Sequence, residues 1–529
     1  MFTKSYERNL ERLGAFEVGK TMLGLAKNND RRNTFLNAGR GNPNWINTQG
    51  RLAWCRIMEF GVEESRRTMD QGTLAGYTQL EGIARRFGEF LRADNEIDAF
   101  LKKALAYCET ELKIDPDALV KELTDAVVGN NYPVPSRCLA NIEKILNAFL
   151  QKALYGGADL KDQTVLFPTE GGTAAICYIF DSLKHNGLLK EGDRIAINTP
   201  IFTPYLQIPR LSNFGLVEVN LKATEELNWH IPPEEVEKLR DPSVKAFFLV
   251  NPTNPGSHAL RGETLAHIAE IVREREDLII ITDDVYGTFV DGFRTLYSMA
   301  PQNTILVYSF SKLFGVTGWR LGLIAMSKDN VCDKMLARLP EEKLRMLDED
   351  YSIVTLEPRQ FPFIERVCAD SRSIGLYHTS GLSTPQQAMM AMMSLTHLVA
   401  QKEDPYFAAA KQLVSKRYHD LFSSLEIAED NDPSNAKYYS LIDLFAIARK
   451  RYGEDFEKYM RTNFEDVDFL LHLAQEEGVV LMEGIGFASA PGTLRVSEAN
   501  LPDEAYAKIA KRVLQLLNQY HDAYMKEAK

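Results

Sequence analysis

Lys312 lies in the stretch SFSKLFGVTGWRLG (residues 309–322), between two serines and eight residues before Arg320. A lysine amine can form a covalent bond with a carbonyl compound, and an arginine near hydroxyl groups can bind an anion. Taken alone, Lys312 could equally be a solvated loop lysine. Arg320, however, stands just before an apolar stretch, where a guanidinium is rarely found without an anionic partner. The pair therefore indicates a site for an anionic ligand.

Further polar and glycine-rich clusters follow predicted strands. Asp283 and Asp284 come directly after LIIIT, and Asn254 lies in NPTNPG, a turn whose prolines restrict its conformation. We expect Asp283 at the site and Asp284 at the surface or at a helix N-terminus. A turn between a predicted strand and a helix offers backbone N–H groups and the helix dipole to an anion. This turn contains Gly171, Gly172 and Thr173.

These clusters together fit one ligand, an anionic aromatic aldehyde. The glycine-rich turn and Arg320 would bind a phosphate, and Asp283 would keep a pyridine nitrogen protonated. Lys312 would hold the aldehyde as a Schiff base. The sequence therefore predicts a site for pyridoxal 5'-phosphate (PLP). No metal site is predicted, because the six cysteines are scattered, without a CxxC pair or a histidine at metal-ligand spacing.

With these motifs the sequence resembles the fold-type I PLP-dependent family, the aspartate aminotransferase superfamily, from about residue 35 onward. The resemblance implies an α/β fold, with a mainly parallel central sheet in a large domain and a smaller α+β domain. It also implies that Lys312 bonds the cofactor aldehyde and that Asp283 pairs with the ring nitrogen. The other cofactor contacts it implies are Arg320, Ser309, Ser311, Gly171, Gly172 and Thr173 around the phosphate, Asn254 and Tyr286 at the phenolic oxygen, Phe202 of TPIFTPY stacked on the ring, and Tyr77 of YTQLEGI reaching the phosphate of a neighbouring subunit. A homodimer would then be needed to complete each site.

The substrate contacts follow from the same resemblance. Arg495 of GTLRVS matches the arginine that holds the substrate α-carboxylate, a task suited to its forked donors. A second substrate carboxylate would need another cation. Arg40 of NAGRGNP is the first candidate, because Gly41 matches a glycine whose loop lines the substrate pocket, although Arg40 could equally face solvent. Lys20 and Tyr132 are further candidates.

Two stretches without predicted strands bear on the reaction. Residues 90–160 and 328–379 interrupt the strand and helix alternation, and 94 residues separate Tyr77 from Gly171. This doubly inserted layout resembles the aspartate 4-decarboxylases of the superfamily, which release CO2 from Cβ of L-aspartate to give L-alanine and retain aspartate aminotransferase activity. The resemblance also implies assembly of dimers into a larger homo-oligomer. A plain class I aminotransferase acting on aspartate, aromatic or branched substrates is the alternative.

The elements that must position these residues are βα units. Short apolar runs predict strands at residues 163–167, 194–198, 245–250, 278–282, 303–308 and 321–325, and nearly every run ends in a polar, glycine or proline cluster. Ligands of such sheets bind at the carboxyl ends of the strands. We expect residues 1–70 to contribute to the small domain, residues 71–383 to form the large PLP-binding domain with both insertions, and residues 384–529 to complete the small domain.

The composition and charge of the chain disfavour several other classes of function. The 529-residue chain has 45% hydrophobic residues and a net charge of −12, which is typical of a globular protein and disfavours nucleic acid as a partner. A regulator built on an aminotransferase-like domain would need a basic DNA-binding segment, for which we find no room before residue 35. The N-terminus resembles neither a secretory signal nor a membrane anchor. We therefore expect a cytoplasmic enzyme.

Overall fold

The computed structural model describes residues 2–69, 73–207, 215–401 and 403–527. Its strands, in chain order, are β1 (Leu36–Asn37), β2 (Thr164–Thr169), β3 (Arg194–Thr199), β4 (Val217–Lys222), β5 (Val244–Val250), β6 (Ile279–Asp283), β7 (Thr304–Ser309), β8 (Gly322–Ser327), β9 (Tyr439–Asp443), β10 (Val479–Val480), β11 (Met482–Glu483) and β12 (Thr493–Ser497). Its helices are α1 (Lys4–Leu10), α2 (Ala15–Lys27), α3 (Thr48–Thr68), α4 (Ile83–Phe90), α5 (Glu96–Thr110), α6 (Pro116–Val128), α7 (Ala140–Leu154), α8 (Gly172–His185), α9 (Thr203–Gln207), α10 (Pro233–Val236), α11 (Gly262–Glu274), α12 (Val331–Leu336), α13 (Glu341–Tyr351), α14 (Phe363–Asp370), α15 (Thr384–Leu398), α16 (Pro405–Leu425), α17 (Leu444–Tyr452), α18 (Glu454–Asn463), α19 (Asp468–Glu477) and α20 (Glu504–Glu527).

A seven-stranded sheet forms the centre of the large lobe, in the spatial order β2-β8-β7-β6-β5-β3-β4. Strand β8 runs antiparallel to both of its neighbours, and the other neighbouring pairs are parallel. Successive residues of β5 enter different cores, Phe248 on one face and Phe247 and Leu249 on the other. Because both faces are covered, these strands consist of continuous apolar runs rather than alternating ones. The predicted α/β architecture with a mainly parallel sheet is confirmed.

All six predicted strands are present, each within two residues of its expected ends. Strand β4 (VEVNLK) was not predicted. Within the part of the chain that the structure describes, it pairs only with β3 at the edge of the sheet, and most of its residues are partly or fully exposed, so its sequence lacks the apolar run of a central strand. Strand β9 of the small lobe was not predicted either, and the stretches VVLMEGIGF and GTLRVSEA contain β10, β11 and β12.

The two insertions are helical. Residues 90–160 contain α5, α6 and α7, and residues 328–379 contain α12, α13 and α14. Helix α6 shows strong local signals at both ends: Asp115 accepts a hydrogen bond from the Ala118 N–H at 2.9 Å, Pro116 occupies the first turn, and Gly129 ends the helix in the left-handed conformation at φ 68°. Helices α3 and α15 pack against α6, so the first insertion joins the core of the large lobe.

The hydrophobic cores divide the chain at other positions than the predicted boundaries of 70 and 384. Helix α3, within residues 1–70, contributes Ala53, Ile57 and Phe60 to the large-lobe core, whereas the small-lobe core contains Leu10 to Ala38 from the N-terminal segment. After residue 384, α15 and the first half of α16 still pack in the large lobe, and the small-lobe core resumes at Tyr418. Within the described residues, no helix is both long and apolar enough to cross a membrane.

Candidate active site

A cavity of about 340 Å³ lies at the carboxyl ends of β5, β6 and β7, where the small lobe meets the sheet. The predicted site residues that line it are Arg40, Gly41, Gly172, Thr173, Phe202, Asn254, Asp283, Tyr286, Ser309, Ser311, Lys312, Arg320 and Arg495. Residues from distant parts of the sequence therefore converge on one volume, at the sheet edge where ligands of open α/β sheets bind.

Lys312 follows β7 in a tight turn and is partly buried. Its Nζ donates a hydrogen bond to the carbonyl oxygen of Gly41 at 3.0 Å. The same carbonyl accepts a second hydrogen bond from the hydroxyl of Tyr438 at 2.9 Å. The lysine amine is thus held at the cavity by a neutral acceptor rather than by a carboxylate, which leaves it free to act as a nucleophile or base.

Asp283 ends β6 and faces the cavity from the sheet. Tyr205 donates its hydroxyl proton to Oδ2 at 2.8 Å, and the Val285 N–H donates to Oδ1 at 3.2 Å. Burial raises the pKa of the Asp283 carboxyl to about 6, while the Tyr205 and Val285 hydrogen bonds and the charge of Lys312 act in the opposite direction. A buried carboxylate without a cationic hydrogen-bond partner is suited to receive a protonated ring nitrogen.

An anion site is formed where the turn before α8 meets Arg320. Gly171, at φ 90°, precedes the first residue of α8, and a Cβ at this position would lie 2.4 Å from Nη2 of Arg320. Arg320 itself adopts the left-handed conformation at φ 56°, and its guanidinium donates to the carbonyls of Thr317 and Glu170. Arg320 therefore lies against a helix N-terminus, and both features attract a phosphate.

Ser309 and Ser311 lie in the turn between β7 and Lys312. Ser309 Oγ donates to Ser311 Oγ at 3.0 Å and also contacts the Leu321 carbonyl at 3.3 Å. Both serines line the cavity and are buried. The resulting hydroxyl pair faces the same region as Arg320.

Asn254 and Tyr286 form a polar pair next to the sheet. Asn254 Nδ2 donates to the Tyr286 hydroxyl at 3.4 Å, and its Oδ1 accepts a hydrogen bond from Nη1 of Arg495 at 3.1 Å. Tyr286 in turn donates to the hydroxyl of Tyr439 at 3.1 Å. Phe202 lines the cavity and makes an edge contact with the Tyr205 ring, with the ring centroids 5.1 Å apart.

Arg495, on β12, is 1% exposed. Its guanidinium donates to Asn254 Oδ1, to the Gly39 carbonyl at 2.6 Å and to Met482 Sδ, and it stacks over the Tyr439 ring at 4.5 Å. Burial lowers the pKa of the Arg495 guanidinium. No carboxylate of the described chain forms an ion pair with it, and its Nε donates to none of the described residues. A buried guanidinium with unused donors is prepared for a carboxylate ligand.

Arg40 lies at the exposed side of the cavity. Across residues 2–69, 73–207, 215–401 and 403–527, no carboxylate lies within ion-pair distance of it. Gly41 next to it is tightly enclosed, because a Cβ at this position would lie 1.8 Å from the hydroxyl oxygen of Tyr439. Only glycine fits here without displacement of Tyr439.

Four predicted site residues are not among those that line this cavity within the single chain: Gly171, which lies against Arg320 just before α8, and Lys20, Tyr132 and Tyr77. Lys20 lies on α2 and its Nζ is 3.5 Å from Glu17 Oε1. Tyr132 is 66% exposed and lines a separate cavity of about 640 Å³, to which both insertions and the start of α15 contribute. Tyr77 is 59% exposed, and its backbone N–H donates a hydrogen bond to the Thr68 hydroxyl, which in turn donates to the Tyr77 carbonyl. Their roles stay predictions.

Sequence reasoning missed three tyrosines at the site. Tyr205, in TPIFTPY, holds Asp283, and Tyr438 and Tyr439, at the start of β9, contact Gly41 and Tyr286. A weak signal existed for Tyr205, because it lies three residues after Phe202 in a cluster already assigned to the site. For the other two no local motif marks the chemistry.

The expectation for Asp284 was wrong. Asp284 is fully buried, its Oδ1 accepts a hydrogen bond from the Thr282 hydroxyl at 2.5 Å, and its Oδ2 has no partner among the described residues. Burial raises the pKa of this carboxyl to about 7. Asp283 and Asp284 are neighbours at the end of a buried strand, so both side chains are enclosed by the protein, one facing the cavity and the other the interior.

The lining fits PLP by its chemistry. The helix N-terminus beside Gly171 and Arg320 suits the phosphate, the Asp283 carboxylate suits the ring nitrogen, and the Lys312 amine suits the aldehyde. The buried Arg495 guanidinium, with an unused Nε, suits the carboxylate of an amino acid bound next to the cofactor. The fold and the cavity thus define a site of the PLP-dependent aminotransferase type.

Comparison with known proteins agrees with this class. The family model for class I and II aminotransferases matches residues 115–513. A bifunctional aspartate aminotransferase and L-aspartate beta-decarboxylase from a Pseudomonas species is 42% identical over 527 residues, which cover 99% of each chain. An aspartate aminotransferase from Pyrococcus abyssi is 34% identical over 145 residues, 26% of this chain and 36% of the relative. The chain belongs to the class I and II aminotransferase family.

The solved structures share the fold. A single mutant of Thermus thermophilus aspartate aminotransferase superposes with a TM-score of 0.60, at 17% identity, covering 98% of this chain and 100% of the other. An aromatic aminotransferase from Pyrococcus horikoshii gives a TM-score of 0.57 at 20% identity, covering 92% of this chain and 96% of the other. At these identities the likeness shows the fold alone.

Proposed function

We propose that this chain is a PLP-dependent enzyme that converts L-aspartate to L-alanine and CO2 and also has aspartate aminotransferase activity. The likeness to the Pseudomonas bifunctional enzyme, over 99% of each chain, carries this proposal. The cofactor residues alone would fit any member of the family, whereas the full-length relative shares the length and therefore both insertions with this chain.

The residues that would hold PLP are those at the cavity. Gly171, Gly172, Thr173, Ser309, Ser311 and Arg320 would bind the phosphate, Asp283 the ring nitrogen, Asn254 and Tyr286 the phenolic oxygen, and Phe202 would stack on the ring. When bound, PLP supplies an aldehyde that captures the substrate amine and a protonated ring that withdraws electrons from the neighbouring carbon atoms. The 2.8 Å hydrogen bond from Tyr205 fixes the Asp283 carboxylate that would pair with the ring nitrogen.

Lys312 is proposed to move the protons. Once a substrate amine has taken its place, the free lysine amine removes the proton from Cα and later delivers a proton. The Gly41 carbonyl, 3.0 Å from Nζ, is the acceptor that keeps the free amine at the cavity. Loss of CO2 breaks the bond between Cβ and the carboxyl carbon, and Cβ takes up a proton to give the methyl group of alanine.

Arg495 is proposed to bind the substrate α-carboxylate. Three of its five N–H donors are engaged within the described protein, by Asn254, Gly39 and Met482, which leaves two donors, one of them on Nε, for the carboxylate. Full burial strengthens these hydrogen bonds, since water does not compete for them.

Arg40 is proposed to contact the substrate β-carboxylate, with Lys20 and Tyr132 as further candidates. Because Arg40 is exposed, water screens its charge, and the hold on this carboxylate is weaker than that of Arg495 on the other. A weak hold suits decarboxylation, since strong stabilisation of the carboxylate charge would oppose its departure as CO2.

We further propose that two chains form a homodimer, that dimers assemble into a larger homo-oligomer, and that the enzyme is cytoplasmic. The surface around Tyr77 supports the dimer: Leu74 is 93% exposed and Leu80 is 51% exposed, which is costly for large apolar side chains on a free surface. Tyr77 would then reach the cofactor phosphate in the neighbouring subunit.

The test is to incubate the purified, PLP-loaded protein with L-aspartate, without any keto acid, and to follow CO2 and alanine together. Continued release of both in equal amounts over many turnovers is the expected result. If the cofactor absorbance is instead lost in a single turnover and restored only by 2-oxoglutarate, the protein is a plain aminotransferase. The variant Lys312→Ala is the control, and it should release neither product.

A further inference from the structure

The Tyr438 hydroxyl and the Lys312 amine donate hydrogen bonds to the same acceptor, the Gly41 carbonyl. The Gly41 carbonyl accepts a hydrogen bond from Lys312 Nζ at 3.0 Å and another from the Tyr438 hydroxyl at 2.9 Å. Tyr438 does not line the cavity and is fully buried. Burial raises the pKa of its hydroxyl well above the ordinary value, so the group stays a neutral donor. One oxygen atom thus connects this tyrosine to the reactive amine.

The Tyr438 ring cannot swing away from Gly41. It packs against Phe289 and Tyr286 with ring centroids 5.0 Å apart in both cases, and against Trp45 at 6.2 Å. Tyr286, Phe289 and Tyr438 belong to the large-lobe core and Trp45 packs against it, although Tyr438 directly precedes β9 of the small lobe. The hydroxyl is therefore fixed in position by close packing, not only by its own hydrogen bond.

The backbone around Tyr438 is fixed from both lobes. The Tyr439 N–H donates to Ser257 Oγ at 2.9 Å, and the Ala436 N–H donates to the Ser257 carbonyl at 2.8 Å. From the other side the Glu498 N–H donates to the Tyr438 carbonyl at 3.1 Å. The segment that carries the hydroxyl is consequently held at residues 436, 438 and 439.

Tyr439 restricts Gly41 from a second direction. Its hydroxyl oxygen occupies the space where a Cβ of residue 41 would lie, at a separation of 1.8 Å. Tyr438 therefore fixes the carbonyl of Gly41 while Tyr439 lies against its α-carbon. A shift of Gly41 would move the acceptor of the Lys312 amine.

We propose that Tyr438 is a positioning residue for Lys312, which acts by orienting the Gly41 carbonyl that holds the free amine. The proposal rests on the proposed role of Lys312 in proton transfer at Cα. An amine that donates one N–H to a fixed carbonyl has its lone pair directed away from that carbonyl, toward the cavity. Without the Tyr438 hydroxyl the carbonyl can rotate, and the amine spends less time in the geometry for proton transfer.

The experiment measures the Cα proton transfer directly. PLP-loaded protein is incubated with L-alanine in deuterium oxide, and exchange of the Cα hydrogen is followed by proton NMR. L-alanine has no β-carboxylate, so this readout does not depend on whether the enzyme decarboxylates aspartate. Loss of one neutral hydrogen bond predicts that Tyr438→Phe slows exchange about fivefold to tenfold. The dissociation constant of L-alanine, from the change in cofactor absorbance, should stay within about twofold of wild type.

A matched control removes a buried tyrosine hydroxyl elsewhere. Tyr297 is fully buried and its hydroxyl lies 2.7 Å from Thr164 Oγ1, at the start of β2 and remote from the cavity. The Tyr297→Phe variant should exchange the Cα hydrogen of L-alanine at the wild-type rate. A second readout, independent of turnover, is the rate at which the cofactor-free protein forms its covalent bond with added PLP. This rate should fall in Tyr438→Phe and not in Tyr297→Phe.

Donor rescue separates positioning from packing. Incorporation of p-aminophenylalanine at position 438 keeps a donor near the Gly41 carbonyl and should recover most of the exchange rate, whereas p-methylphenylalanine, of similar size, should not. This pair also serves if Tyr438→Phe fails to fold. Wild-type exchange in Tyr438→Phe, or equal rates in the amino and methyl variants, would overturn the proposal. Failure of wild-type protein to exchange at all would instead refute the proposed function.

Discussion

Replacing Asp283 by asparagine should stabilise the cofactor-free protein at neutral pH while it removes the partner of the ring nitrogen. Burial raises the pKa of Asp283 from 3.8 to about 6, despite the hydrogen bonds from Tyr205 and Val285 and the charge of Lys312. A difference of about 2 pKa units between the unfolded and the folded state corresponds to about 3 kcal/mol in the free energy of unfolding. Without PLP, this is the cost of the ionised carboxylate.

The direction of the Asp283 pKa shift determines how the stability difference between the two proteins depends on pH. Because the folded-state pKa is raised, the protonated form of Asp283 is favoured by folding, and the cost appears as the pH rises from about 4 to about 6 and stays above that range. Asparagine has the same shape and does not ionise. The variant should therefore gain about 3 kcal/mol over wild type at about pH 7.5, but only about 1 kcal/mol at about pH 4.5.

The assay is urea unfolding of wild type and Asp283→Asn at both pH values, after PLP has been removed from both proteins. Other buried carboxyls titrate in both proteins, so their contributions largely cancel in the difference. Asp284 is the exception, because the charge of Asp283 adds to the burial that raises the pKa of Asp284, and its removal adds to the gain at about pH 7.5. A gain of equal size at both pH values would mean that asparagine packs better and that desolvation is not the cause. A variant less stable than wild type at about pH 7.5 would refute the reasoning. With PLP bound, wild type should be more stable than Asp283→Asn, because the cofactor then supplies the partner for the carboxylate.

Four further changes test other parts of the site. Lys312→Ala should abolish the cofactor absorbance band and all turnover while the circular dichroism spectrum is retained, and residual turnover would contradict its role. Arg495→Ala removes two charge-assisted hydrogen bonds to the α-carboxylate, so KM should rise about 100-fold for aspartate and alanine alike; an effect on aspartate alone would contradict the assignment. Arg40→Ala should weaken the binding of aspartate about tenfold and leave the binding of alanine unchanged, since only aspartate carries the second carboxylate. Equal losses of affinity for the two amino acids would contradict the role of Arg40. Gly41→Ala forces a Cβ to within 1.8 Å of the Tyr439 hydroxyl oxygen. Turnover should fall more than about tenfold, with part of it recovered when Tyr439→Phe is added, and no recovery would show that the collision is not the cause.

The parts of the fold predicted best are those whose sequence signal is local. Central strands such as β6 are buried on both faces, so their apolar runs stand out from the surrounding turns. Strand β4 at the sheet edge gives no such signal. The core that a helix joins is not visible in the sequence for a related reason: a helix looks the same whichever core it packs against, and α15, which begins at the predicted boundary of residue 384, packs in the large lobe.

The residues of the site divide in the same way, into those marked by a local sequence motif and those that are not. Lys312, Asp283 and Asn254 could be proposed as site residues because each lies within about four residues after a predicted strand, in a distinctive motif. The contacts of Tyr438 with Gly41 and of Tyr205 with Asp283 join residues that are 397 and 78 positions apart. Tyr438 does not differ in sequence from an ordinary core aromatic, and the only signal for Tyr205 is its place in the TPIFTPY cluster. Asp284 was expected at the surface or at a helix N-terminus because carboxylates are usually found there, and its burial depends on elements that sequence reasoning did not place next to it.

Helix α16 also determines how cooperatively the protein unfolds. Its first half contributes Phe407, Ala410 and Val414 to the large-lobe core, and its second half contributes Tyr418 and Leu421 to the small-lobe core. At 1.5 Å per residue, the 21 residues form a continuous rod about 30 Å long that passes from one core into the other. Neither lobe can lose its half of the rod without unwinding the other's, so the two lobes should melt in one cooperative transition. A chain cut within α16, or a small lobe grafted onto another protein, would expose apolar surface on both sides of the cut.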